Sequence, residues 1–221
     1  VSRDAQNNRV YTFDLYGDLK FSDGSAITAK DYAFSILLTA SPELAKLGGQ
    51  SAAVGAILGM DAYQSGKSSV LRGVRLLSDT QMSITISKAY EPYFYEMALF
   101  DYSPYPISVL APGCKVVDTE KGVGIVNAGG TGTAIFTAAL LQKTILDAAT
   151  GYMSHPSVVS GPYTLTSYDA QRGTASFAIN PYYKGNEDGE KPTIETIVYR
   201  TVANDEAIDL LLSGEVDLLN K

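Results

Sequence analysis

The sequence predicts an α/β fold in which helices pack on a mixed β-sheet. Residues 11–15 alternate between apolar and polar side chains, which is typical of a half-buried strand. Residues 29–40 carry apolar side chains at helical spacing, which indicates a helix with one buried face. The chain has 221 residues, of which 45% are hydrophobic and 19% charged, so it can bury a substantial core.

The segment between these two elements predicts its own local structure. Ser22, Asp23 and Gly24 form a turn signal, because Asp can bond the backbone two residues on and Gly accepts a positive φ. Thr28 stands at the N-cap of the helix, and Asp31 lies where it can complete a capping box. The apolar stripe of this helix consists of Ala29, Ala33, Ile36, Leu37 and Ala40.

The next part of the chain predicts shorter elements. We expect short helices over residues 43–66 and a β-hairpin over residues 73–87 with its turn at 78–80. A helix is expected over residues 92–100, with Pro92 in its first turn, where proline is favoured.

The middle of the chain has a different character. Residues 112–134 are rich in glycine and show little periodicity, which predicts an insertion or a mobile loop. Residues 134–149 return to a helical pattern.

From residue 160 onward the pattern becomes rich in β-structure. Strands are expected at residues 163–165, 175–179 and 194–199. A last helix over 204–213 should end at Gly214, a natural C-terminal cap. The following Gly-Glu-Val-Asp segment is expected to be a strand, with Asp217 at its edge.

Composition excludes several classes of function. The net charge of −7 and the pI near 4.7 disfavour nucleic acid as a partner. The single cysteine, Cys114, cannot form an internal disulfide. No apolar run reaches the roughly 18 residues of a membrane span, and no signal peptide is visible at Val1.

Three segments carry a resemblance to a known family. Residues 11–36, which include "KFSDGSAITAKD", residues 90–108, and residues 160–220, which include "SGPYTL", "NPYYKG" and "SGEVD", follow one another in the order that the family requires. Together they resemble bacterial extracellular solute-binding proteins of family 5, the peptide and nickel receptors of ABC importers. Tyr183 stands where the family commonly has Trp, and residues 111–159 match poorly.

The resemblance implies an architecture. The chain would be one lobe of a two-lobed receptor with the periplasmic-binding-protein-like fold of type II (cluster C), truncated at both ends. Residues 9–110 would form an N-terminal subdomain and residues 111–159 a Gly-rich variable insertion. Residues 160–221 would be a β-rich return segment leading to the missing second lobe.

The resemblance also implies a function. Family members capture a peptide or a similar small solute in an interlobe cleft and deliver it to a membrane permease. They perform no covalent chemistry, so neither an enzyme activity nor a cofactor is expected. The protein would lie on the outer face of the membrane as a lipoprotein, or in the periplasm, with any anchor outside these residues.

Other functions remain open at this point, although few residues in the sequence support them. An extracellular interaction or adhesion module on the same scaffold is the first alternative, and a hydrolase is the second. The glycines at 129–132 lack the Lys-Ser/Thr pair of a phosphate-binding loop. His155 is the only histidine, so neither a catalytic residue nor a metal site is predicted. Asp23, Asp31, Glu215 and Asp217 have local structural explanations that leave no acid–base pair.

The tyrosines are the best candidates for ligand contact. The chain has fifteen Tyr and no Trp, and Tyr combines apolar area with one hydroxyl at low entropic cost. Five of them cluster, at positions 90, 93, 95, 102 and 105. We predict Tyr102, Tyr105, Ser160 and Tyr182 as ligand-binding residues; a structural role for Tyr182 and Tyr183 is the alternative.

Overall fold

The structure, a computed structural model, describes residues 1–49, 55–91 and 96–220, which form three β-sheets with short helices around them. This confirms the α/β class. The strands described in these ranges pair antiparallel throughout, where the sequence predicted a mixed sheet.

The first sheet has the order β1-β2-β5-β4. Its strands are β1 (Ser2–Arg3), β2 (Arg9–Asp14), β4 (Val74–Ser78) and β5 (Gln81–Ile86). Tyr11 is buried and Phe13 is half-buried, whereas Thr12 between them is exposed, as the alternation predicts. The expected hairpin is confirmed as β4 and β5, joined at residues 79–80.

The longest helix, α1 (Ala29–Thr39), has the capping box that the sequence predicts. The Oδ2 atom of Asp31 accepts a hydrogen bond from the Thr28 amide at 2.8 Å, and the Thr28 hydroxyl oxygen accepts one from the Lys30 amide at 3.3 Å. The five residues of the apolar stripe are each at most 2% exposed. The stripe residues belong to the same buried apolar cluster as residues of the first sheet, so α1 packs within the main core.

The remaining helices are short: α2 (Pro42–Ala45), α3 (Met60–Gln64), α4 (Ile107–Leu110), α5 (Ala138–Leu141) and α6 (Ala207–Leu212). One-turn 3₁₀ helices occur at Lys88–Tyr90 and Glu96–Phe100, and a π-helical turn at Gln142–Leu146 follows α5. The start of the helix expected over 92–100, with Pro92, Tyr93 and Tyr95, lies outside the described residues. No helix in the described ranges combines the length and the apolar character that crossing a membrane requires.

The Gly-rich middle corrects one expectation, because it contains a regular hairpin. Strands β6 (Cys114–Thr119) and β7 (Gly122–Asn127) pair in continuous register, and β7 also pairs with β3 (Val70–Leu71) to give the order β3-β7-β6. A Cβ atom on Gly122 would lie 2.4 Å from the carbonyl oxygen of Leu71. These glycines therefore allow close approach of a neighbouring strand, which the sequence pattern alone did not reveal.

The third sheet comes from the last part of the chain. Strands β8 (Tyr163–Asp169), β9 (Thr174–Ile179) and β10 (Thr196–Arg200) form the order β10-β9-β8, which confirms the expected strands. Helix α6 ends before Gly214, whose φ of +76° is the predicted left-handed cap. Residues 215–220 form no strand, so Asp217 is an exposed loop residue and the strand-edge prediction is wrong.

Candidate functional site

A cavity of about 160 Å³ lies where the segment preceding α1 meets the segments around residues 160 and 182. The apolar part of its wall is formed by Leu19, Ile27 and Pro104. Three aromatic side chains, Tyr32, Tyr182 and Tyr183, complete it. Its polar lining comes from Lys20, Ser160 and Lys184. Concave sites with apolar walls and few polar groups are the usual form of small-molecule sites.

Ser22, the first residue of the predicted turn, joins the segment that precedes α1 to the segment around residue 160. The amide of Ser22 donates to the carbonyl oxygen of Val159 at 2.8 Å, and the amide of Val159 donates to Oγ of Ser22 at 3.0 Å. Asp23 closes the turn as predicted, since its Oδ1 accepts from the Ser25 amide at 2.9 Å. This reciprocal pair places Ser160, the next residue, against the wall formed by Leu19 and Ile27.

The third side is built on Asn180, which is 1% exposed. Its Nδ2 donates to the carbonyl oxygen of Gly161 at 2.9 Å, and its Oδ1 accepts from the amide of Tyr182 at 3.0 Å. The Asn180 amide donates to the carbonyl oxygen of Pro162 at 2.8 Å. One buried amide side chain thus fixes the Gly161–Pro162 and Tyr182–Tyr183 segments to each other.

Gly24 and Tyr182 hold the first and third sides in contact. A Cβ atom on Gly24 would lie 3.1 Å from Cζ of Tyr182, and Gly24 has a φ of +84°. Both the backbone conformation and the approach of the ring therefore favour glycine here.

Two lysines lie in the wall of the cavity. Lys20 Nζ lies 5.7 Å from the centroid of the Tyr182 ring, within the range of a cation–π contact. Lys184 forms an ion pair with Asp18 and lies 5.3 Å from the centroid of the Tyr16 ring. The hydrogen bond from Lys184 is the main reason why the pKa of Asp18 lies below its ordinary value.

The cavity also carries hydroxyl groups without protein partners. Among the described residues, none forms a hydrogen bond with the side-chain hydroxyls of Tyr32, Ser160, Tyr182 or Tyr183. Burial, and secondarily the charge of Asp31, raises the pKa of Tyr32, so this phenol stays protonated and can donate. The site thus offers hydroxyl groups and ammonium groups to an acceptor-rich ligand.

Two of the four predicted ligand-binding residues, Ser160 and Tyr182, therefore come together here. Tyr102 and Tyr105 do not line this cavity; they pack against the main core. The Tyr105 amide donates to Oγ of Ser35 at 2.9 Å, and its ring meets that of Tyr152 edge-on with centroids 6.4 Å apart. Burial raises the pKa of Tyr102 and raises that of Tyr152 to about 12. Pro104, which lies between Tyr102 and Tyr105, does reach the cavity.

Sequence reasoning missed Lys20, Tyr32 and Lys184. Lys20 lies two residues before the turn at 22–24 and Lys184 directly follows the paired tyrosines, so their neighbours in sequence were the only available signal. What makes them part of one site is the contact between segments more than 130 residues apart, which no local pattern encodes.

A second, more open groove of about 560 Å³ lies between the edge strands β4 and β6. Its walls include Leu76, Leu77 and Val116. Across it, Asp118 accepts hydrogen bonds from Nε of Arg75 at 2.9 Å and from the Leu76 amide at 2.8 Å. Asp118 thereby occupies an edge amide of β4 that would otherwise be free to pair.

The remaining candidates for chemistry stand apart from the cavity. Within the described residues, no three His, Cys, Asp or Glu side chains come together as metal ligands. His155 packs edge-on against Tyr168 with centroids 5.8 Å apart. The glycines at 129–132 lie in an exposed loop, which Asn127 braces through the backbone of Thr133 and Ile135.

Residues 2–221 match the family of bacterial extracellular solute-binding proteins, family 5 (middle). The chain belongs to this family. It is 27% identical over 216 residues to the oligopeptide-binding protein OppA of Lactococcus lactis subsp. lactis, an alignment that covers 96% of this chain and 30% of that relative. It is 34% identical over 116 residues to a dipeptide-binding protein of Lactococcus lactis subsp. cremoris, covering 52% of this chain and 19% of the relative.

Solved structures of family-5 type share this fold. Lactococcal OppA, complexed with an endogenous peptide in the closed conformation, superposes with a TM-score of 0.67 at 21% identity, over 98% of this chain and 34% of that one. Listeria monocytogenes OppA bound to peptide gives 0.63 at 20% identity, over 97% and 35%. The chain therefore spans about a third of the length of these proteins. The comparisons favour neither the adhesion module nor the hydrolase.

Proposed function

We propose that this chain is part of the substrate-binding component of an ABC importer, which captures peptides or a similar small solute in an interlobe cleft for delivery to a permease. Membership of family 5 supports the proposal, as do the names of the relatives, which bind oligopeptides or dipeptides. The observation that carries it is the cavity in which Ser160 and Tyr182 meet, because its free hydroxyls and lysines suit the carbonyl and carboxyl oxygens of a peptide.

The proposed mechanism is binding without covalent chemistry. Ser160 and Tyr182 contact the solute directly. Tyr102 and Tyr105 are proposed as further solute contacts from the segment that carries Pro104, which the bond between the Tyr105 amide and Ser35 ties to α1. A ligand that makes more contacts in a closed state than in an open one shifts the protein toward closure, which is how a hinged receptor traps its solute.

The organisation and location of the protein belong to the same proposal. Residues 9–110 and 160–221 form the subdomain and the return segment of one lobe, with residues 111–159 as a variable insertion between them. The permease is the partner of the loaded receptor. The protein acts on the outer face of the membrane as a lipoprotein or in the periplasm, in keeping with the extracellular character of the family.

The proposal is tested by thermal shift and calorimetry on the full-length protein beside the 221-residue chain, with peptide pools and with Ni²⁺. A ligand at 100 times its Kd adds about 2.7 kcal/mol to the free energy of unfolding. We expect peptides to stabilise the full-length protein and to stabilise the 221-residue chain far less.

A matched pair of variants locates the site. Tyr182→Ala should weaken peptide binding by roughly tenfold, because aromatic anchors in a pocket carry much of the binding energy. Tyr168→Ala is the control: Tyr168 is 48% exposed against 44% for Tyr182, and it lies outside the cavity. Equal effects of the two substitutions, or no stabilisation by any peptide, would contradict the proposal.

A further inference from the structure

The charges around the cavity are unbalanced. Among the described residues, the charged ones in its wall are Lys20 and Lys184, and no Asp or Glu lines it, although the chain as a whole has a net charge of −7. Lys184 is neutralised by Asp18. Lys20 forms no ion pair with any residue in the described ranges and rests near the Tyr182 ring.

The groups beside Lys20 complement the same kind of ligand. Ser160 and the three wall tyrosines can each donate a hydroxyl hydrogen, and none of these hydroxyls is engaged by a described residue. An ammonium beside several hydroxyl donors fits a group with several acceptor lone pairs, which is the property of a carboxylate. A space of about 160 Å³ is below the roughly 300 Å³ of a full small-molecule pocket, so it admits one side chain or one chain end.

These groups sit on a fixed frame. Lys20 forms an isolated antiparallel bridge with Ala26, which closes the turn that carries it. Tyr182 is held by Asn180 from below and by Gly24 at its ring. Ser160 follows directly on the Ser22–Val159 pair. Since the backbones are fixed before a ligand arrives, little ordering of the site is required on binding.

We propose that this cavity binds a carboxylate of the captured peptide, with Lys20 as its ion-pair partner and the Ser160 hydroxyl as a hydrogen-bond donor. This deepens the proposed function and rests on it. The carboxylate is either an acidic side chain or the C-terminal group of the peptide, because the two present the same oxygens to the site.

The test is calorimetric titration of the full-length protein with three tetrapeptides. The first, Ala-Ala-Ala-Ala with an amidated C-terminus, has no carboxylate. The second has the same sequence with a free C-terminus, and the third is Ala-Ala-Glu-Ala with an amidated C-terminus. Each is titrated into the wild type, Lys20→Met, Lys20→Arg and the control Lys67→Met. Lys67 is exposed, lies outside the cavity and forms no ion pair with a described residue.

We expect Lys20→Met to weaken one carboxylate-bearing peptide by about fivefold, the effect of losing an exposed ion pair of about 1 kcal/mol, and to leave the fully amidated peptide unchanged. Lys20→Arg should restore most of the affinity, and Lys67→Met should have no effect. The peptide that responds identifies the source of the carboxylate. Raising the salt concentration should reduce the difference between wild type and Lys20→Met.

The inference is overturned if Lys20→Met weakens all three peptides equally, or none of them, while the wild type still binds. Circular dichroism melts of each variant separate a loss of charge from a loss of fold. If the wild type binds no peptide at all, the proposed function fails and this inference fails with it. If the wild type binds peptides but Lys20→Met has no selective effect, only this inference fails.

Discussion

Residues 1–159 and residues 160–220 are stabilised in different ways. The buried apolar side chains of the described residues all lie between Tyr11 and Val158. In residues 160–220 the only buried residue is Asn180, and large apolar side chains such as Ile194, Val198 and Leu212 are 62%, 62% and 80% exposed. The first region is held together by its apolar core. The second is held together by strand pairing and by the hydrogen bonds of Asn180, and the Lys184–Asp18 ion pair ties it to the first.

The difference teaches where the candidate site gets its precision. The apolar wall residues Leu19 and Ile27 belong to the first region, whereas Ser160 and Tyr182 belong to the second. The geometry of the cavity therefore depends on the bonds of Asn180 and on the contact between Tyr182 and Gly24, and only indirectly on the core. Each of the following substitutions tests one part of this comparison.

The largest effect is expected in the core of the first region. Leu37 on α1 is fully buried, so Leu37→Ala should lower the free energy of unfolding by about 3 kcal/mol through lost transfer energy and the cavity left behind. The matched control is Leu212→Ala on α6, where the leucine is 80% exposed and the loss should stay within about 0.5 kcal/mol. Urea unfolding of the chain, followed by circular dichroism, measures both. Similar losses for the two leucines would end the distinction between the regions.

The second effect concerns Asn180, which fixes the segments that carry Ser160 and Tyr182 to each other. Asn180→Ala removes the partners of the Gly161 carbonyl and the Tyr182 amide, and should cost about 2 kcal/mol, as expected for the loss of two part-buried hydrogen bonds of about 1 kcal/mol each. Asn186→Ala is the control, because Asn186 is exposed and its side chain only braces the turn at residues 188–190. Thermal unfolding measures the cost, and amide hydrogen exchange at Tyr182 reports the local change. A neutral Asn180→Ala would show that strand pairing alone holds the second region.

The distance in sequence between contacting residues decides what the sequence can and cannot predict. The capping box of Thr28 and Asp31, the turn at Asp23 and the cap at Gly214 were predictable, because each is formed by residues within a few positions of one another. The glycines at 122 and 124 predicted a loop, but they face the backbone of residues 69–71, a partner distant in sequence.

The tyrosines illustrate the same limit. Tyr182 and Tyr105 look alike in sequence, each beside a proline and a second tyrosine or proline. Only the tertiary structure separates them, since Tyr105 is tied to Ser35 in α1 and Tyr182 is turned to the cavity by Asn180. Half of the predicted ligand-binding residues therefore lie at the cavity, and the contact of any of them with a ligand stays a prediction.

A smaller effect is expected where the turn meets Tyr182. Gly24→Ala places a side chain at a φ of +84° and against the ring of Tyr182, and should cost roughly 1–2 kcal/mol. Gly161→Ala is the control, because Gly161 does not have a positive φ and its added Cβ meets nothing within 4 Å. Thermal unfolding of both variants, with hydrogen exchange of the Tyr182 amide as a local probe, measures the result. Equal melting temperatures for the two variants would mean that the turn does not constrain Tyr182.

The smallest effect is a dependence on pH within the first region. The hydrogen bonds from Lys46 and from the amide of Ala138 outweigh the opposing effect of lost solvation, so the pKa of Glu43 lies below its ordinary value of about 4.3. Because the unfolded state then binds more protons, this stabilisation is present above pH of about 4.3 and is lost as the pH falls through the lower pKa of the folded state.

Glu43→Gln should therefore flatten the decline of stability below pH of about 4. Glu120→Gln is the control, because Glu120 is exposed and forms no ion pair with a described residue. Chemical unfolding at a series of pH values from about 2.5 to 6 measures the slopes. An unchanged slope in Glu43→Gln would remove Glu43 as a tie between α2 and α5.

The pair formed by Ser22 and Val159 has a consequence for the order in which the molecule folds. It joins residues 137 positions apart, whereas the capping box of α1 and the β4–β5 hairpin join residues a few positions apart. Closing a long loop costs more chain entropy than closing a short one, and distant contacts form late during folding. We therefore expect the helix and the hairpin to form before the cavity does, because the cavity requires the Ser22–Val159 pair.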